Sequence, residues 1–309
     1  MRAITITRAG GPEVLEVGHR DVREAGPGEI RISVAAAAVN PTDILLRDRG
    51  AEGLAPPWVP GMDAAGTVES IGPGVERLHP GDRVMAVVNP RRPEGGAQAE
   101  LVVIPAASAV TIPEGATLAQ AATLPMNGVT AQLGLEQLAL ARGGTLAVTG
   151  GAGLLSSYVI PLARDLGLRV LADASPADEA LVRGFGADVV VPRGAGFNDA
   201  VRRTVPGGVD GLFDAAVLGS AVFPALRDGG AMAVVRGWAG GEVERGIRIE
   251  VVFVRNALER TDWLERLRDM ASLGRITLRV AAEYAPEQVV AAQERMAAGG
   301  LRGRAIIVF

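Results

Sequence analysis

The stretch Thr145–Tyr158, TLAVTGGAGLLSSY, decides how this chain folds. Its apolar start predicts a buried strand, and the residues from Leu154 onward predict a helix. The residues GGAG, 150–153, lie between the strand and the helix. A strand, a glycine turn and a helix in this order form the arrangement that binds a dinucleotide. We expect Gly151 to permit the tight turn and Gly153 to let the backbone approach a pyrophosphate at the helix N-terminus.

The turn departs from the dinucleotide motif G-x-G-x-x-G at its third glycine, where this chain has Ser156. A branched side chain at Leu154 or Leu155 could crowd a pyrophosphate, whereas the Ser156 hydroxyl could donate a hydrogen bond to it. Pro161 lies inside the predicted helix and is expected to kink it, because proline lacks the backbone N–H. A helix that tilts and still binds its nucleotide remains the alternative.

Composition narrows the classes of protein. The chain has 309 residues, 48% of them apolar, which favours about two domains with substantial cores. A net charge of −4 gives no reason to expect nucleic acid or an anionic membrane as a partner. There are no cysteines, no secretory signal pattern and no apolar run of about 18 residues. These features predict a soluble cytoplasmic protein.

The chain has two regions with different sequence patterns. The first ~120 residues contain short β-like runs separated by Gly/Pro turns, which predicts a β-rich, barrel-like domain. From Leu118 onward, helices and strands alternate, which predicts βαβ units and a parallel sheet. Predicted strands there include 250–254 and, in the tail, 277–280. A last predicted strand, 305–309, could pair back with the N-terminal domain.

Short blocks in a fixed order carry a family resemblance. They are Asn40–Asp43 (NPTD), Pro60–Gly66 (PGMDAAG), Val68–Gly74 (VESIGPG), Gly81–Val84 (GDRV), Gly95–Glu100 (GGAQAE), Ala121–Ala131 (AATLPMNGVTA), Leu273–Ile276 (LGRI) and Gly299–Arg304 (GGLRGR). Together with the glycine turn, they resemble the medium-chain dehydrogenase/reductase superfamily, in its zinc-independent quinone-oxidoreductase branch. The resemblance covers nearly the whole chain.

The resemblance implies an α/β fold: a GroES-like β-rich domain at 1–121, completed by 258–309, and an inserted Rossmann domain with a doubly wound parallel sheet at 122–257. It implies hydride transfer from a nicotinamide, usually NADPH, to a quinone or an activated C=C bond, and a homodimer. Zinc-dependent relatives have a Cys near position 40, a His after Gly61 and a four-Cys lobe. This chain has Asn40, Met62 and a Cys-free segment at 89–95, so we expect no metal site.

The turn and the resemblance together give these candidate cofactor-binding residues: Asn127, Thr130, Gly151, Ala152, Gly153, Leu154, Leu155, Asp173, Ser175, Arg193, Arg236, Gly237, Phe253, Arg255 and Arg304. Three of them could instead have a purely structural role, since Asn127 could cap a helix, and Arg255 and Arg304 could be surface arginines. Trp238 could line the substrate pocket or an interface.

Cofactor preference stays open at this point. Asp173 lies about 20 residues after Gly153, where an acidic side chain accepts hydrogen bonds from a ribose 2′-hydroxyl and favours NADH. Ser175 remains available nearby, and Arg193 could bind a 2′-phosphate as a bidentate donor. Asp173 and Arg193 could instead lie in exposed loops without contacting a cofactor. The resemblance favours NADPH, with NADH possible.

Asn40 and Asp43 are the candidate catalytic residues, because the resemblance places their block near the nicotinamide ribose and substrate. Both could instead be turn residues around Pro41. Some enoyl-reductase relatives have a proton-donating Tyr a few residues later, and this chain has none there. Asp43, Arg47 or water would then supply any proton, which favours a quinone or another activated carbonyl acceptor.

The leading hypothesis is an NAD(P)H-dependent, zinc-independent oxidoreductase that transfers hydride to a quinone or an α,β-unsaturated carbonyl. The alternative is a relative that kept the fold but lost nucleotide binding and serves as a non-redox tailoring enzyme or ligand-binding protein. The altered turn and Pro161 motivate that alternative.

Overall fold

The computed structural model describes residues 1–309 and contains fifteen strands. In chain order they are β1 Arg2–Ile6, β2 Leu15–His19, β3 Glu29–Val39, β4 Asp63–Ile71, β5 Arg83–Val87, β6 Leu101–Pro105, β7 Ala109–Thr111, β8 Thr145–Thr149, β9 Arg169–Ala174, β10 Val189–Pro192, β11 Val209–Asp214, β12 Leu226–Val234, β13 Arg248–Val251, β14 Val280–Tyr284 and β15 Arg304–Val308.

Eight α-helices and six short 3₁₀ segments complete the secondary structure. The helices are α1 Pro41–Arg49, α2 Leu118–Ala121, α3 Pro125–Leu138, α4 Leu154–Asp165, α5 Glu179–Gly184, α6 Phe197–Thr204, α7 Thr261–Ser272 and α8 Val289–Ala297. The 3₁₀ segments are Pro12–Val14, Ala106–Ser108, Pro176–Asp178, Gly219–Ala225, Val254–Ala257 and Pro286–Gln288. None of the eight α-helices combines the length and the hydropathy that a membrane span requires.

The chain divides into two compact units. The first comprises residues 1–126, 258–274 and 278–309, and the second comprises 127–257 and 275–277. The sequence predicts changes of domain after residues 121 and 257. The structure has them after Met126 and Ala257, so that α3 starts in the first unit and continues in the second.

The first unit is a mostly antiparallel β structure. Its larger sheet has the order β14-β15-β3-β4-β5-β7, with β6 also paired to β3, and β1 pairs with β2. β3 lies at the centre, and its inward residues Ile30, Ile32 and Val34 belong to the core. β15 returns from the C-terminal tail to pair antiparallel with β3, with Ala305 opposite Val39. The C-terminal tail therefore contributes strands to this unit.

The second unit is a six-stranded parallel sheet in the order β10-β9-β8-β11-β12-β13. β8 is central and buried from Leu146 to Thr149, as expected where helices cover both faces of a sheet. The chain moves from β8 to β9 and β10 on one side, then crosses to β11 on the other. Such a reversal opens a crevice at the carboxyl ends of the strands, and ligands bind there in folds of this kind.

Two predicted strands are misplaced. The sequence predicts a strand at 250–254, but β13 ends at Val251 and a 3₁₀ segment starts at Val254. It also predicts a strand at 277–280, but β14 starts at Val280 and continues to Tyr284. In both cases the pairing partner sets the bounds, β12 for β13 and β15 for β14, and local residue preference is overridden.

Candidate functional site

The glycine turn lies at the carboxyl end of β8. Gly150 has φ +66°, a conformation that favours glycine, so the tight turn depends on Gly150 rather than on Gly151. Gly151 is required for another reason, since a Cβ there would clash with the backbone carbonyl oxygen of Asp173. The turn is thereby packed directly against β9.

Gly153 is the N-cap residue of α4 and has no side chain of its own with which to cap the helix. A Cβ added to Gly153 would approach only the carbonyl oxygen of Gly150, at 3.0 Å, and would otherwise point into open space. A helix N-terminus that begins at a glycine with room beside it suits an anionic group, because the N–H groups and the helix dipole both face it. These residues therefore fit a pyrophosphate.

Two of the three unusual residues after the turn, Leu154 and Ser156, are buried within the fold. Leu154 is buried, and Leu155 is half-buried. Ser156 is wholly buried and its hydroxyl donates to the carbonyl oxygen of Thr149 at 3.0 Å. Ser156 therefore joins α4 to β8 and is not positioned to bind a pyrophosphate. The small side chain lets the helix pack against the strand, which is the role of the missing third glycine.

Pro161 does not end α4. The helix continues for four residues beyond it to Asp165, and Pro161 itself is buried. One backbone hydrogen bond is missing there, but the neighbouring residues Ile160 and Leu162 are wholly buried, so packing compensates for it. Pro161 therefore does not interrupt α4, which begins directly after the glycine turn and continues to Asp165.

Asp173 and Arg193 lie together beside the turn. The Asp173 carboxylate accepts the N–H of Gly151 at 2.7 Å, and its other oxygen is 4.0 Å from Nε of Arg193. Burial raises the pKa of Asp173 above its usual value, while the N–H of Gly151 and the charge of Arg193 oppose the shift. Asp173 is thus fixed by the turn, whereas the Arg193 side chain is 55% exposed.

The Ser175 hydroxyl already has a hydrogen-bond partner within the chain. Its hydroxyl donates to the carboxylate of Asp178 at 2.6 Å, where β9 leads into α5. The next acidic residue, Glu179, pairs with Arg183 one turn later at 2.7 Å. The stretch after β9 is therefore acidic and internally paired.

A buried network that the sequence does not predict supports the carboxyl ends of β8 and β11. The Thr149 hydroxyl donates to Asp214 at 2.6 Å and accepts the N–H of Ala216. The other Asp214 oxygen accepts the N–H of Gly219 at 2.8 Å. These contacts hold the 215–219 loop beside the glycine turn. Thr149 ends the opening strand, but no sequence pattern links it to Asp214, so only the fold reveals the pairing.

The loops after β11 and β12 contain two non-glycine residues with positive φ, Val217 at 58° and Arg236 at 67°. Such conformations cost roughly 1–3 kcal/mol and cluster at functional sites.

Trp238 is stacked on Phe223, with ring centroids 5.7 Å apart. The stacking on Phe223 explains the position of the Trp238 ring within the second unit.

The remaining predicted residues of this unit fall in two places. Asn127 and Thr130 lie in the first half of α3 and are buried. Phe253 and Arg255 follow β13 and are exposed. Gly237, beside Arg236, has φ +88°.

The first unit contains a buried polar cluster, formed by Asn40, Asp43, Asp63, Gln98 and Arg304. Asp43 accepts hydrogen bonds from the backbone N–H groups of Asn40 and Gly61, at 2.7 and 2.9 Å, and from the Gln98 amide at 3.1 Å. Three chain segments therefore meet at one carboxylate that is 1% exposed.

Asp63 is the other carboxylate of the cluster, and no sequence motif singles it out as a site residue. It accepts the side-chain amide of Asn40 and the backbone N–H of Met126, both at 2.6 Å. Met126 is the second residue of α3, so Asp63 places a negative charge at that helix's N-terminus. Burial raises the pKa of Asp63 to about 7 and that of Asp43 to about 6, and the charge of Arg304 opposes both shifts.

Arg304 is therefore not a surface arginine. It is 9% exposed and compensates the charge of the two carboxylates. Arg47, another predicted proton source, is also buried and donates to Gln293 and Asp48 at 2.9 and 2.7 Å. No group of three or more His, Cys, Asp or Glu residues could hold a metal ion.

Comparison with known proteins agrees with this architecture. Residues 26–114 match the family "Alcohol dehydrogenase GroES-like domain", and residues 185–307 match "Zinc-binding dehydrogenase". A quinone oxidoreductase of Pseudomonas aeruginosa is 34% identical over 192 residues, covering 59% of this chain and 57% of the relative. The chain belongs to the medium-chain dehydrogenase/reductase superfamily. Within it, the chain falls in the quinone-oxidoreductase branch, as the sequence blocks predicted.

Two further members of the superfamily extend the comparison. The NADPH-dependent alkenal/one oxidoreductase of Arabidopsis thaliana chloroplasts is 32% identical over 246 residues, which covers 77% of this chain and 63% of that protein. A mycobacterial protein solved as a complex with NADPH superposes with a TM-score of 0.85 at 28% identity, covering all of both chains. The matches to these curated relatives span less than two thirds of each relative's length.

Proposed function

We propose that this protein is an NADPH-dependent oxidoreductase that reduces quinones or α,β-unsaturated carbonyl compounds without zinc. The observation that carries the proposal is the glycine turn at the carboxyl end of β8, which leads into the N-terminus of α4 with space beside Gly153. Relatives named for quinone and alkenal/one reduction support the substrate class, and the mycobacterial complex with NADPH supports the cofactor.

Bound NADPH would supply the hydride, and the chain would supply binding and orientation. The turn from Gly150 to Gly153 and the first N–H groups of α4 would hold the pyrophosphate. Asp173 and Arg193 lie where the adenosine ribose would follow. By resemblance, Asn127, Thr130, Arg236, Gly237 and Phe253 remain predicted contacts of the nicotinamide half. The homodimer and the cytoplasmic location also remain predictions.

The chain offers no accessible proton donor among the groups predicted for that role. Asp43 accepts three hydrogen bonds and is buried, and Arg47 is paired. Tyr158 is wholly buried in the second unit. We therefore assign Asp43 to holding its three chain segments, and a reduced acceptor would take its proton from water. This assignment favours acceptors such as quinones, whose reduction needs no positioned acid.

The alternative of a protein that no longer binds nucleotide depends on the altered turn. The structure weakens this argument for lost nucleotide binding, because Leu154 and Ser156 are buried in the fold and α4 continues through Pro161. No other observation favours a non-redox role.

The test combines binding and turnover. Calorimetric titration with NADPH should show one site per chain, and NADPH oxidation should require a benzoquinone or methyl vinyl ketone. Butanone, which lacks the conjugated C=C bond, is the matched control and should not be reduced. A protein that binds no NADPH, or one that reduces butanone as fast as methyl vinyl ketone, would contradict the proposal.

A further inference from the structure

The neighbouring strands β8 and β11 are joined at each end by one threonine and one aspartate. At the amino ends, the Thr145 hydroxyl donates to Asp210 at 2.8 Å. At the carboxyl ends, the Thr149 hydroxyl donates to Asp214 at 2.6 Å, and both of these residues are buried. Only the second pair also accepts backbone N–H groups from residues 215–219, which we call the β11 loop. The two pairs share their chemistry, but one of them contacts a loop at the edge of the sheet where ligands bind.

The β11 loop contains a strained residue between its two contacts. Val217 has φ +58°, a conformation that β-branched side chains rarely adopt. The N–H of Ala216, on one side of it, donates to the Thr149 hydroxyl at 3.0 Å. The N–H of Gly219, on the other side, donates to Asp214 at 2.8 Å. Strain of this kind persists only where the surroundings over-determine the backbone, and these two hydrogen bonds do so.

Burial of the loop's own apolar side chains does not offset the strain. Val217 is 49% exposed and Leu218 is 45% exposed. Folding alone therefore gains little from this loop shape, since apolar surface that stays in water contributes little to stability. The loop also lies beside the glycine turn, because a Cβ added to Gly150 would be 3.4 Å from the Cβ of Ala216. A ligand held by the turn would cover these side chains.

The order of the strands indicates which part of a dinucleotide reaches the β11 loop. The pyrophosphate is expected where β8 leads into α4, and the adenosine is expected on the β9 side, where Asp173 lies. β11 is the neighbour of β8 on the opposite side. Because a dinucleotide binds across the point where the strand order reverses, its other half passes over the carboxyl end of β11.

The charge of Asp214 argues for an indirect role. Burial is the main cause of the raised pKa of Asp173, and the charge of Asp214 adds to it. A carboxylate this close to a pyrophosphate site disfavours the anion by its charge. Its two donors explain why a carboxylate is nevertheless present, since an amide of the same shape would present its NH₂ group to one of them.

We propose that Thr149 and Asp214 are positioning residues for cofactor binding. They hold the β11 loop in its strained shape, so that Val217 and Leu218 lie against the nicotinamide half of the bound cofactor. The strain is incurred on folding rather than on binding, which makes the loop preorganised for its ligand. This inference rests on the proposed function and deepens it, because it assigns cofactor affinity to two residues that do not touch the cofactor.

The experiment measures dissociation constants by calorimetry for NADPH and for adenosine 2′,5′-bisphosphate, together with the melting temperature of each variant. Asp214→Asn should weaken NADPH binding about tenfold and leave the bisphosphate, which lacks the nicotinamide half, within about threefold. Asp210→Asn is the matched control at the other end of β11. Both substitutions should lower the melting temperature by about 3–10 °C, but Asp210→Asn should keep the wild-type affinity for both ligands.

Variants at Thr149 and Val217 test the inference independently of whether Asp214→Asn folds. Thr149→Val removes the hydroxyl and should weaken NADPH binding about tenfold, whereas Thr149→Ser retains it and should stay within about threefold of the wild type. Val217→Asn relieves the strain, because Asn tolerates positive φ, but it removes an apolar side chain. It should raise the melting temperature by about 1–4 °C and weaken NADPH binding about 3- to 10-fold. A purely structural residue would not separate stability from affinity in this way.

The outcomes distinguish the inference from the proposed function. A wild-type protein that binds no NADPH would overturn both. If the wild type binds NADPH and both Asp214→Asn and Thr149→Val bind it equally well, the inference alone is overturned. An equal loss of NADPH affinity in Asp210→Asn would also overturn it, because affinity would then merely follow stability. The same holds if the bisphosphate is weakened as much as NADPH, or if Val217→Asn is less stable than the wild type.

Discussion

The buried carboxylate of Asp63 makes folding stability depend on pH in an unusual direction. Its pKa is about 7 in the folded protein, against 3.8 for an ordinary Asp, because burial disfavours the charged form. Between these values the folded state holds a proton that the unfolded state has lost. Stability therefore falls as pH rises through this window, and it is greatest near and below pH 4 as far as this group is concerned.

The size of the effect follows from proton linkage. One proton difference corresponds to a slope of about 1.4 kcal/mol per pH unit. From pH 5 to pH 7, Asp63 should lower the free energy of unfolding by about 2 kcal/mol. Asp43, with a pKa of about 6, acts in the same direction below that pH. Carboxylates whose pKa is lowered, such as Glu29 and Glu100, act in the opposite direction, but only below about pH 4.5.

Asp63→Asn removes the titration while keeping the shape of the side chain. Urea unfolding at pH 5, 6 and 7 should show the variant gaining about 2 kcal/mol relative to the wild type across this range. Asp228→Asn is the control, since the Asp228 side chain is 82% exposed, and it should keep the wild-type slope. The reasoning is refuted if Asp63→Asn has the same slope as the wild type, or if the wild type becomes more stable from pH 5 to pH 7.

Two further predictions concern the glycine turn. Gly151→Ala would place a Cβ against the carbonyl oxygen of Asp173 and should cost about 1–3 kcal/mol, measured by thermal unfolding, whereas Gly184→Ala, with open space around it, should be neutral or slightly stabilising. Ser156→Gly removes the hydrogen bond to Thr149 and should lower stability by about 1–2 kcal/mol while leaving NADPH affinity within about threefold. A large loss of affinity would instead show that Ser156 contacts the cofactor.

Local sequence predicted those parts of the fold in which short-range chemistry dominates. The apolar run before the glycines is β8, the following segment is α4, and the N-terminal Gly/Pro-punctuated runs are strands of the first unit. Errors occurred where a distant partner sets the bounds. β14 lies three residues later than predicted because it pairs with β15, and nothing in the run 277–280 encodes that pairing.

The candidate site divides in the same way. Gly151 and Asp173 were recognised from spacing, and the structure brings them into direct contact. Their neighbours were not predictable. Thr149 and Asp214 are 65 residues apart, and Asp63 contacts Met126 across 63 residues, so neither pair produces a local pattern.

The sequence by itself determined the order of strands and helices, the presence of a glycine turn between β8 and α4, and the family. These depend on residue type and spacing along the chain, which local sterics and hydrophobic periodicity convert directly into structure. The tertiary structure alone decided what the turn's unusual residues do. Ser156 faces β8, Asp173 is fixed by the turn, and Arg193 remains exposed. Side-chain direction and burial at these positions follow from packing between strands and helices that are far apart in sequence, and the same packing raises the pKa of Asp63.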